Sequence, residues 1–110
     1  AVYNKIPVKV FILNNCYLGM VRQWQQLFYN RRYAFTCLEG GQPDFVKLAE
    51  SYGAIGYRVS TEEEFNKILP KVIEEKEKVV FVDCRIEPEE NVFPMVPAGA
   101  SLKQILDGLA

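Results

Sequence analysis

The residues best suited to chemistry form the segment 14–19, Asn-Asn-Cys-Tyr-Leu-Gly, between an apolar run and an amphipathic stretch. In a parallel sheet, ligands bind beyond the carboxyl ends of the strands, and this segment would lie there, just ahead of a helix. Free N–H groups and the dipole at a helix N-terminus favour a phosphate, and the amide oxygens of Asn14 and Asn15 suit Mg²⁺. Because asparagine is also a common turn residue, the pair taken alone indicates either a metal and phosphate site or an ordinary turn.

Composition excludes several other chemistries. The 110 residues contain no histidine, which removes histidine-based triads and imidazole bases, and we predict no catalytic residue within the chain. The three cysteines are widely spaced and are interpreted as reduced thiols of a cytoplasmic protein. Thirteen basic and fourteen acidic side chains leave no excess of positive charge of the kind that binds nucleic acid. No apolar run reaches the ~20 residues of a membrane span. We therefore predict neither a nucleic acid nor a membrane partner.

The elements that must position the segment alternate between strand and helix. Apolar runs predict strands at 8–13, buried on both faces, at 55–59 and at 79–82. Helical spacing predicts helices over 18–29, from about Pro43 onward, and after a capping box at 60–63, the last with a kink or break at Pro70. Residues 30–42 are expected to form a loop. An irregular tail follows from residue 88, with a last short helix that carries Leu102, Ile105, Leu106 and Leu109.

This order predicts an α/β fold with a parallel sheet and right-handed crossovers. Three strands are too few for a complete doubly wound domain, and Ala1 is not an initiator methionine. We expect a piece of a longer protein, with the missing strands upstream.

The helix over 18–29 carries Met20, Trp24 and Phe28 on one side, with Gln23, Gln25 and Gln26 on the other. The simplest interpretation is a core stripe opposite a solvated polar face, with Arg22 a surface charge.

Residues 14–29 resemble the last part of the catalytic large subunit of acetohydroxyacid synthase (acetolactate synthase), and the resemblance continues at 32–33, 43–53 and 93–96. A double asparagine occurs across thiamine-diphosphate enzymes, whereas Gly-Met-Val-x-Gln-Trp-Gln is much narrower. The resemblance implies that 1–110 is the C-terminal portion of a partial parallel-sheet thiamine-diphosphate-binding fold, truncated at its N-terminal side. Residues 18–33 would be a mobile active-site segment, and residues 88–110 a C-terminal tail or lid.

The resemblance also implies an activity and its components. The intact enzyme decarboxylates pyruvate and joins the two-carbon unit to pyruvate or 2-ketobutyrate in branched-chain amino-acid biosynthesis. It uses thiamine diphosphate, Mg²⁺ and an FAD held by a domain absent here. Its partners are a second catalytic subunit, in a homodimer or homotetramer, and a small regulatory subunit. The activating glutamate and the aspartate that opens the cofactor motif are absent from these residues, so the isolated chain is expected to be inactive.

By resemblance, specific residues acquire roles. Mg²⁺ would be held by the side chain of Asn15 and the main-chain oxygen of Tyr17. The full cofactor-binding set is Asn15, Tyr17, Leu18, Gly19 and Met20, and the substrate channel is lined by Met20, Val21, Trp24 and Phe28. Bacterial members commonly have glycine where this chain has Cys16, so a positive φ there would strain the turn.

Two other interpretations stay open. The chain could belong to another thiamine-diphosphate carboligase or decarboxylase, such as a catabolic FAD-independent acetolactate synthase. It could also be a small non-catalytic α/β module whose Asn-Asn turn is structural.

Overall fold

A computed structural model describes residues 1–108, which divide into two compact units. The first unit comprises Ala1–Asn15 and Gly40–Glu87, and the second comprises Cys16–Glu39 with the segment from Pro88 onward. The boundary after Asn15 passes through the Asn-Asn segment. The elements are β1 (Lys9–Asn14), α1 (Gly19–Phe28), α2 (Phe45–Ser51), β2 (Ile55–Val59), α3 (Glu62–Glu74) and β3 (Val80–Arg85).

The first unit contains a parallel three-stranded sheet in the order β1-β3-β2. Val80 of β3 pairs with Lys9 on one side and with Ile55 on the other. Alternate residues of β3 face opposite layers, as the period of two requires. Val80 and Val82 pack with Val72 of α3, whereas Val79 and Phe81 pack with Ala49 of α2. The predicted α/β class with parallel strands is confirmed.

The two helices of this unit begin at side-chain caps. The Asp44 carboxylate accepts from the Val46 and Lys47 N–H groups at 3.0 and 3.2 Å. Asp44 is therefore the N-cap of α2. Pro43 precedes this cap, so the prediction that the helix includes Pro43 in its first turn was wrong. Gly56 of β2 allows close packing, since a Cβ there would lie 2.9 Å from Val46.

The cap of α3 lies one residue later than predicted. The Thr61 hydroxyl accepts from the Glu64 N–H at 3.2 Å, while the Glu64 carboxylate accepts from the Ser60 N–H at 2.7 Å. The helix then continues through Pro70 to Glu74, so the predicted break did not occur. Pro70 and Asn66, four residues earlier, are both exposed, so water can satisfy the carbonyl that the proline leaves unpaired.

Three other expectations were wrong or incomplete. β1 is not buried on both faces: Phe11 is 41% and Leu13 71% exposed, because β1 is an edge strand of the described sheet. β3 continues to Arg85, because residues 83–85 keep the strand pairing beyond the end of the apolar run at residue 82. Within residues 102–108 there is no helix; the Met95 and Leu106 main chains instead exchange two hydrogen bonds. Leu109 lies outside the described residues.

Candidate cofactor and substrate site

Asn14 is the last residue of β1 and is held to β3 by two hydrogen bonds. Its side-chain Nδ2 donates to Oδ1 of Asp83 at 2.8 Å, and its carbonyl accepts from the Ile86 N–H at 3.1 Å. Asn15 follows, half-buried, at the carboxyl end of the strand. The structure thus places the Asn-Asn segment where parallel sheets bind ligands, as predicted from the sequence.

Asp83 was not predicted as a site residue. Its side chain is fully buried, its Oδ2 accepts from Nε of Arg58 at 2.9 Å, and the same oxygen forms an ion pair with Nε of Arg85 at 3.3 Å. Arg58 also pairs with Asp44 at 2.9 Å. The hydrogen bond to Asp83 is the main cause that raises the pKa of Arg58. The only signal in the sequence was an acid that interrupts the apolar run of the third strand.

In the second unit, residues 16–18 form a short antiparallel ribbon with residues 36–38. The Cys16 carbonyl accepts from the Leu38 N–H at 2.7 Å, and the Leu18 N–H donates to the Thr36 carbonyl at 2.9 Å. Tyr17 stands opposite Cys37, and a hydrogen bond with the Cys37 thiol is the main cause that raises the pKa of Tyr17. The ribbon fixes the main chain directly before α1.

Cys16 adopts φ of +59°, the left-handed region that the sequence analysis identified as a source of strain. A non-glycine residue at such a φ destabilises the folded chain by roughly 1–2 kcal/mol. Glycine removes this strain, but its greater freedom in the unfolded chain costs ~0.5–1 kcal/mol of stability. We therefore expect Cys16→Gly to raise the free energy of unfolding by about 0.5–1 kcal/mol. Urea denaturation of the 110-residue chain measures this, with Cys37→Gly as the matched control. A destabilised Cys16→Gly chain would contradict the strain.

The N-terminus of α1 suits an anion. Within residues 1–108, no side chain caps this helix at Leu18, and its first turn carries no acid. The N–H groups of the first turn and the helix dipole would therefore favour an anion there.

A divalent cation would meet neutral oxygens at this segment. The described part of the chain has no group of three or more histidine, cysteine or acidic side chains that could hold a metal ion. Amide and main-chain carbonyl oxygens like those of this segment are hard donors, which Mg²⁺ accepts when phosphate oxygens and waters complete its shell.

The orientation of α1 differs from the prediction. Arg22, Gln23 and Gln26 are buried, whereas the apolar residues Met20, Val21, Trp24 and Phe28 are 39–50% exposed. The core-stripe interpretation and the solvated polar face were therefore both wrong. The apolar face borders a cavity of about 380 Å³, and Trp24 packs edge-to-face on Phe28 with ring centroids 6.2 Å apart.

The buried polar face of α1 binds the tail. The Gln23 amide donates to the Val92 carbonyl at 2.9 Å and accepts from the Val92 N–H at 2.8 Å. Its Nε2 also lies 3.0 Å from the Met95 sulfur, and Asn91 donates to Gln26 at 3.0 Å. A carboxamide can satisfy both main-chain groups of one residue, which an apolar side chain cannot.

Arg22 joins the same contact and is not the predicted surface charge. Its buried guanidinium lies 5.0 Å from the Tyr17 ring centroid and 4.6 Å from that of Tyr33. It also pairs with the Glu89 carboxylate and donates to Gln26 at 3.3 Å. The two rings and the acid compensate for the desolvation of the cation.

The chain matches a known protein family. The family described as thiamine pyrophosphate enzyme, C-terminal TPP binding domain, matches residues 1–84. The chain belongs to this family. None of the helices in residues 1–108 of this thiamine pyrophosphate-binding domain is long and apolar enough to cross a membrane.

The domain is also similar to acetolactate synthases. It is 43% identical to the large subunit from Cyanidium caldarium over 102 residues, which cover 93% of this chain and 17% of that protein. Identity to the Haemophilus influenzae large subunit is 42% over 101 residues, with coverages of 92% and 18%. Identity to acetolactate synthase of Arthrospira platensis is 46% over 94 residues, with coverages of 86% and 16%. The chain thus spans less than a fifth of each relative.

These similarities confirm the predicted resemblance. An alignment over 102 residues must extend past residue 84, where the family match ends, so it includes part of the tail. Membership of a thiamine pyrophosphate enzyme family also argues against a non-catalytic module with a purely structural Asn-Asn turn. The roles of individual residues at the segment remain predictions.

Proposed function

We propose that this chain is the C-terminal portion of the catalytic large subunit of an acetolactate synthase. The enzyme would decarboxylate pyruvate and join the two-carbon unit to pyruvate or 2-ketobutyrate, as a step of branched-chain amino-acid biosynthesis. The strongest support is the similarity to acetolactate synthase large subunits over 93% of the chain, because it extends past the general cofactor-binding domain into the tail. No disulfide joins the three cysteines, all of which lie within residues 1–108, and this suits the proposed cytoplasmic location.

The Asn-Asn segment would hold the cofactor. Asn15 and the main-chain oxygen of Tyr17 would bind Mg²⁺, and the uncapped start of α1, from Leu18 through Gly19 to Met20, would bind the diphosphate. Thiamine diphosphate supplies, when bound, the electron sink for loss of carbon dioxide from a 2-keto acid. The anionic metal ligand, the activating glutamate and the FAD site would come from other parts of the enzyme, which we propose to contain a second catalytic subunit and a small regulatory subunit.

The exposed face of α1 would line the substrate channel. Met20, Val21, Trp24 and Phe28 present an apolar surface suited to the alkyl group of a keto acid. We propose that residues 18–33 are a mobile active-site segment and that residues 88–110 act as a lid. Since the polar face of α1 binds the tail through Gln23 and Gln26, the helix and the tail would move together and exclude water from the reacting atoms.

Assays on two proteins test the proposal. The full-length protein that contains this chain should form acetolactate from pyruvate with thiamine diphosphate and Mg²⁺. Activity that requires FAD would favour the biosynthetic enzyme, and FAD-independent activity the catabolic one. A full-length protein that binds thiamine diphosphate but makes no acetolactate would contradict the proposal.

The 110-residue chain alone should be inactive and should bind Mg²⁺ and thiamine diphosphate weakly, because its metal site offers only neutral oxygens. Acetolactate assays and titration calorimetry of the chain measure both properties. Tight binding or turnover by the purified chain would show that the segment is sufficient without other parts of the enzyme.

A further inference from the structure

We propose that Asp83 is a positioning residue for the cofactor-binding turn and acts through Asn14. The inference rests on the proposed function, because it concerns the turn from which Asn15 would reach Mg²⁺. All the residues that carry it belong to the first unit.

Asp83 is placed to hold the end of β1. It lies on the central strand, in register with Ile12 of β1 and Arg58 of β2. Asn14 is two residues beyond Ile12, so its side chain projects from the same face of the sheet as that of Asp83. The 2.8 Å bond from Nδ2 of Asn14 to Asp83, together with the Ile86 N–H bond to the Asn14 carbonyl, fixes this residue through both its side chain and its main chain.

A carboxylate suits this position better than an amide. One oxygen of Asp83 serves Asn14 and the other serves Arg58 and Arg85. An asparagine has a single acceptor oxygen. If that oxygen accepted from Asn14, the NH₂ group, which is a donor, would face the donors of the arginines. If the oxygen faced the arginines, the NH₂ group would face the Asn14 donor. A fully buried carboxylate would be costly without these partners.

In this arrangement Asn14 and Asn15 have different roles. The Asn14 carboxamide is directed at Asp83 within the sheet, whereas Asn15 is the next residue and is half-buried. Asp83 therefore fixes the direction in which the chain leaves β1 and enters the turn. Partners that orient a metal ligand typically change metal affinity or activity by about 10–100-fold when removed.

The test uses the full-length protein and three variants. Asn14→Ala removes the tether and leaves the arginine pairs of Asp83 intact, whereas Asp83→Asn keeps the size and removes the second acceptor. Asp44→Asn is the matched control, because it weakens another carboxylate bond of Arg58 while asparagine still caps α2. Calorimetry measures the Kd of thiamine diphosphate at fixed Mg²⁺. Activity assays separate the half-saturating cofactor concentration from kcat, and thermal unfolding of the cofactor-free proteins reports stability.

We expect Asn14→Ala and Asp83→Asn to raise the Kd by about 10–100-fold. The value of kcat at saturating cofactor should stay within a few-fold of wild type, and Asp44→Asn should keep the wild-type Kd. Lower melting temperatures with unchanged Kd values would overturn the inference and leave Asp83 a purely structural residue. If Asp83→Asn does not fold, Asn14→Ala decides by the same Kd.

The wild-type protein separates this inference from the proposed function. If it binds the cofactor but forms no acetolactate, the proposed reaction is wrong and the variant Kd values still test the positioning role. If it binds no thiamine diphosphate, both proposals are overturned.

Discussion

Trp24→Leu in the full-length protein should change the ratio of products far more than it changes stability. In the proposed channel the indole would contact the extra methylene that distinguishes 2-ketobutyrate from pyruvate. One methylene in an apolar pocket is worth about 1–3 kcal/mol, or roughly 10–200-fold in selectivity. The preference for 2-ketobutyrate over pyruvate should therefore decrease by a factor within that range, while acetolactate formation from pyruvate continues.

The structure already weakens the competing view that Trp24 is a core anchor. Truncating a buried tryptophan costs about 3–5 kcal/mol, but Trp24 is 39% exposed, and its ring contacts the ring of Phe28 on the same helix. Product ratios from mixed keto acids and melting temperatures of the same variant distinguish the two roles. Tyr52→Leu, at a 71% exposed aromatic in the first unit, is the control and should alter neither quantity. An unchanged product ratio with a much lower melting temperature would favour the core anchor.

The second large effect is expected from Arg22→Met, which should loosen the tail, because Arg22 of α1 pairs with Glu89 of the tail. Methionine fills a similar volume but loses the attraction of the cation to the Tyr17 and Tyr33 rings. A desolvated contact of this kind is worth about 2 kcal/mol. The ion pair with Glu89 is lost as well, whereas the buried Nε of Arg22, which has no hydrogen-bond partner within residues 1–108, offsets part of the gain. We expect a net loss of about 2 kcal/mol.

Hydrogen exchange and urea denaturation of the 110-residue chain test this effect. The Val92 N–H, which now donates to Gln23, should exchange faster in Arg22→Met as the tail detaches. Arg31→Met is the matched control, since Arg31 is exposed and also lies in the second unit. Equal exchange at Val92 in both variants would contradict a role of Arg22 in holding the tail.

Much of the first unit could be predicted from the sequence because its signals are local. The run 55–59 has the bounds of β2, and the three apolar runs were sufficient to predict parallel strands. The position of the Asn-Asn segment at the carboxyl end of β1 followed from the same pattern. The positive φ at Cys16 was raised by the resemblance, because members of that family commonly have glycine at this position.

Tertiary structure decided which residues the site contains. The 3.6-residue period of α1 separates two faces but does not say which one is buried. Here the adjacent surface is the tail, where the Val92 N–H and C=O groups pair with Gln23 and the Asn91 side chain donates to Gln26, so both glutamines face inward and Trp24 outward. Likewise, no local pattern pairs Asn14 with Asp83, which lies 69 residues away along the chain.

The end of the tail shows the same limit. Leucine and isoleucine at helical spacing predicted a helix from Leu102, but the Leu106 main chain pairs with Met95 instead. A short amphipathic segment gains little from helix formation alone, so a nearby strand-like partner can determine its conformation. Local sequence determined the strands and the turn that would hold the cofactor. Long-range hydrogen bonds, which become available only once distant segments are packed together, determined how Asn14 and the tail are held.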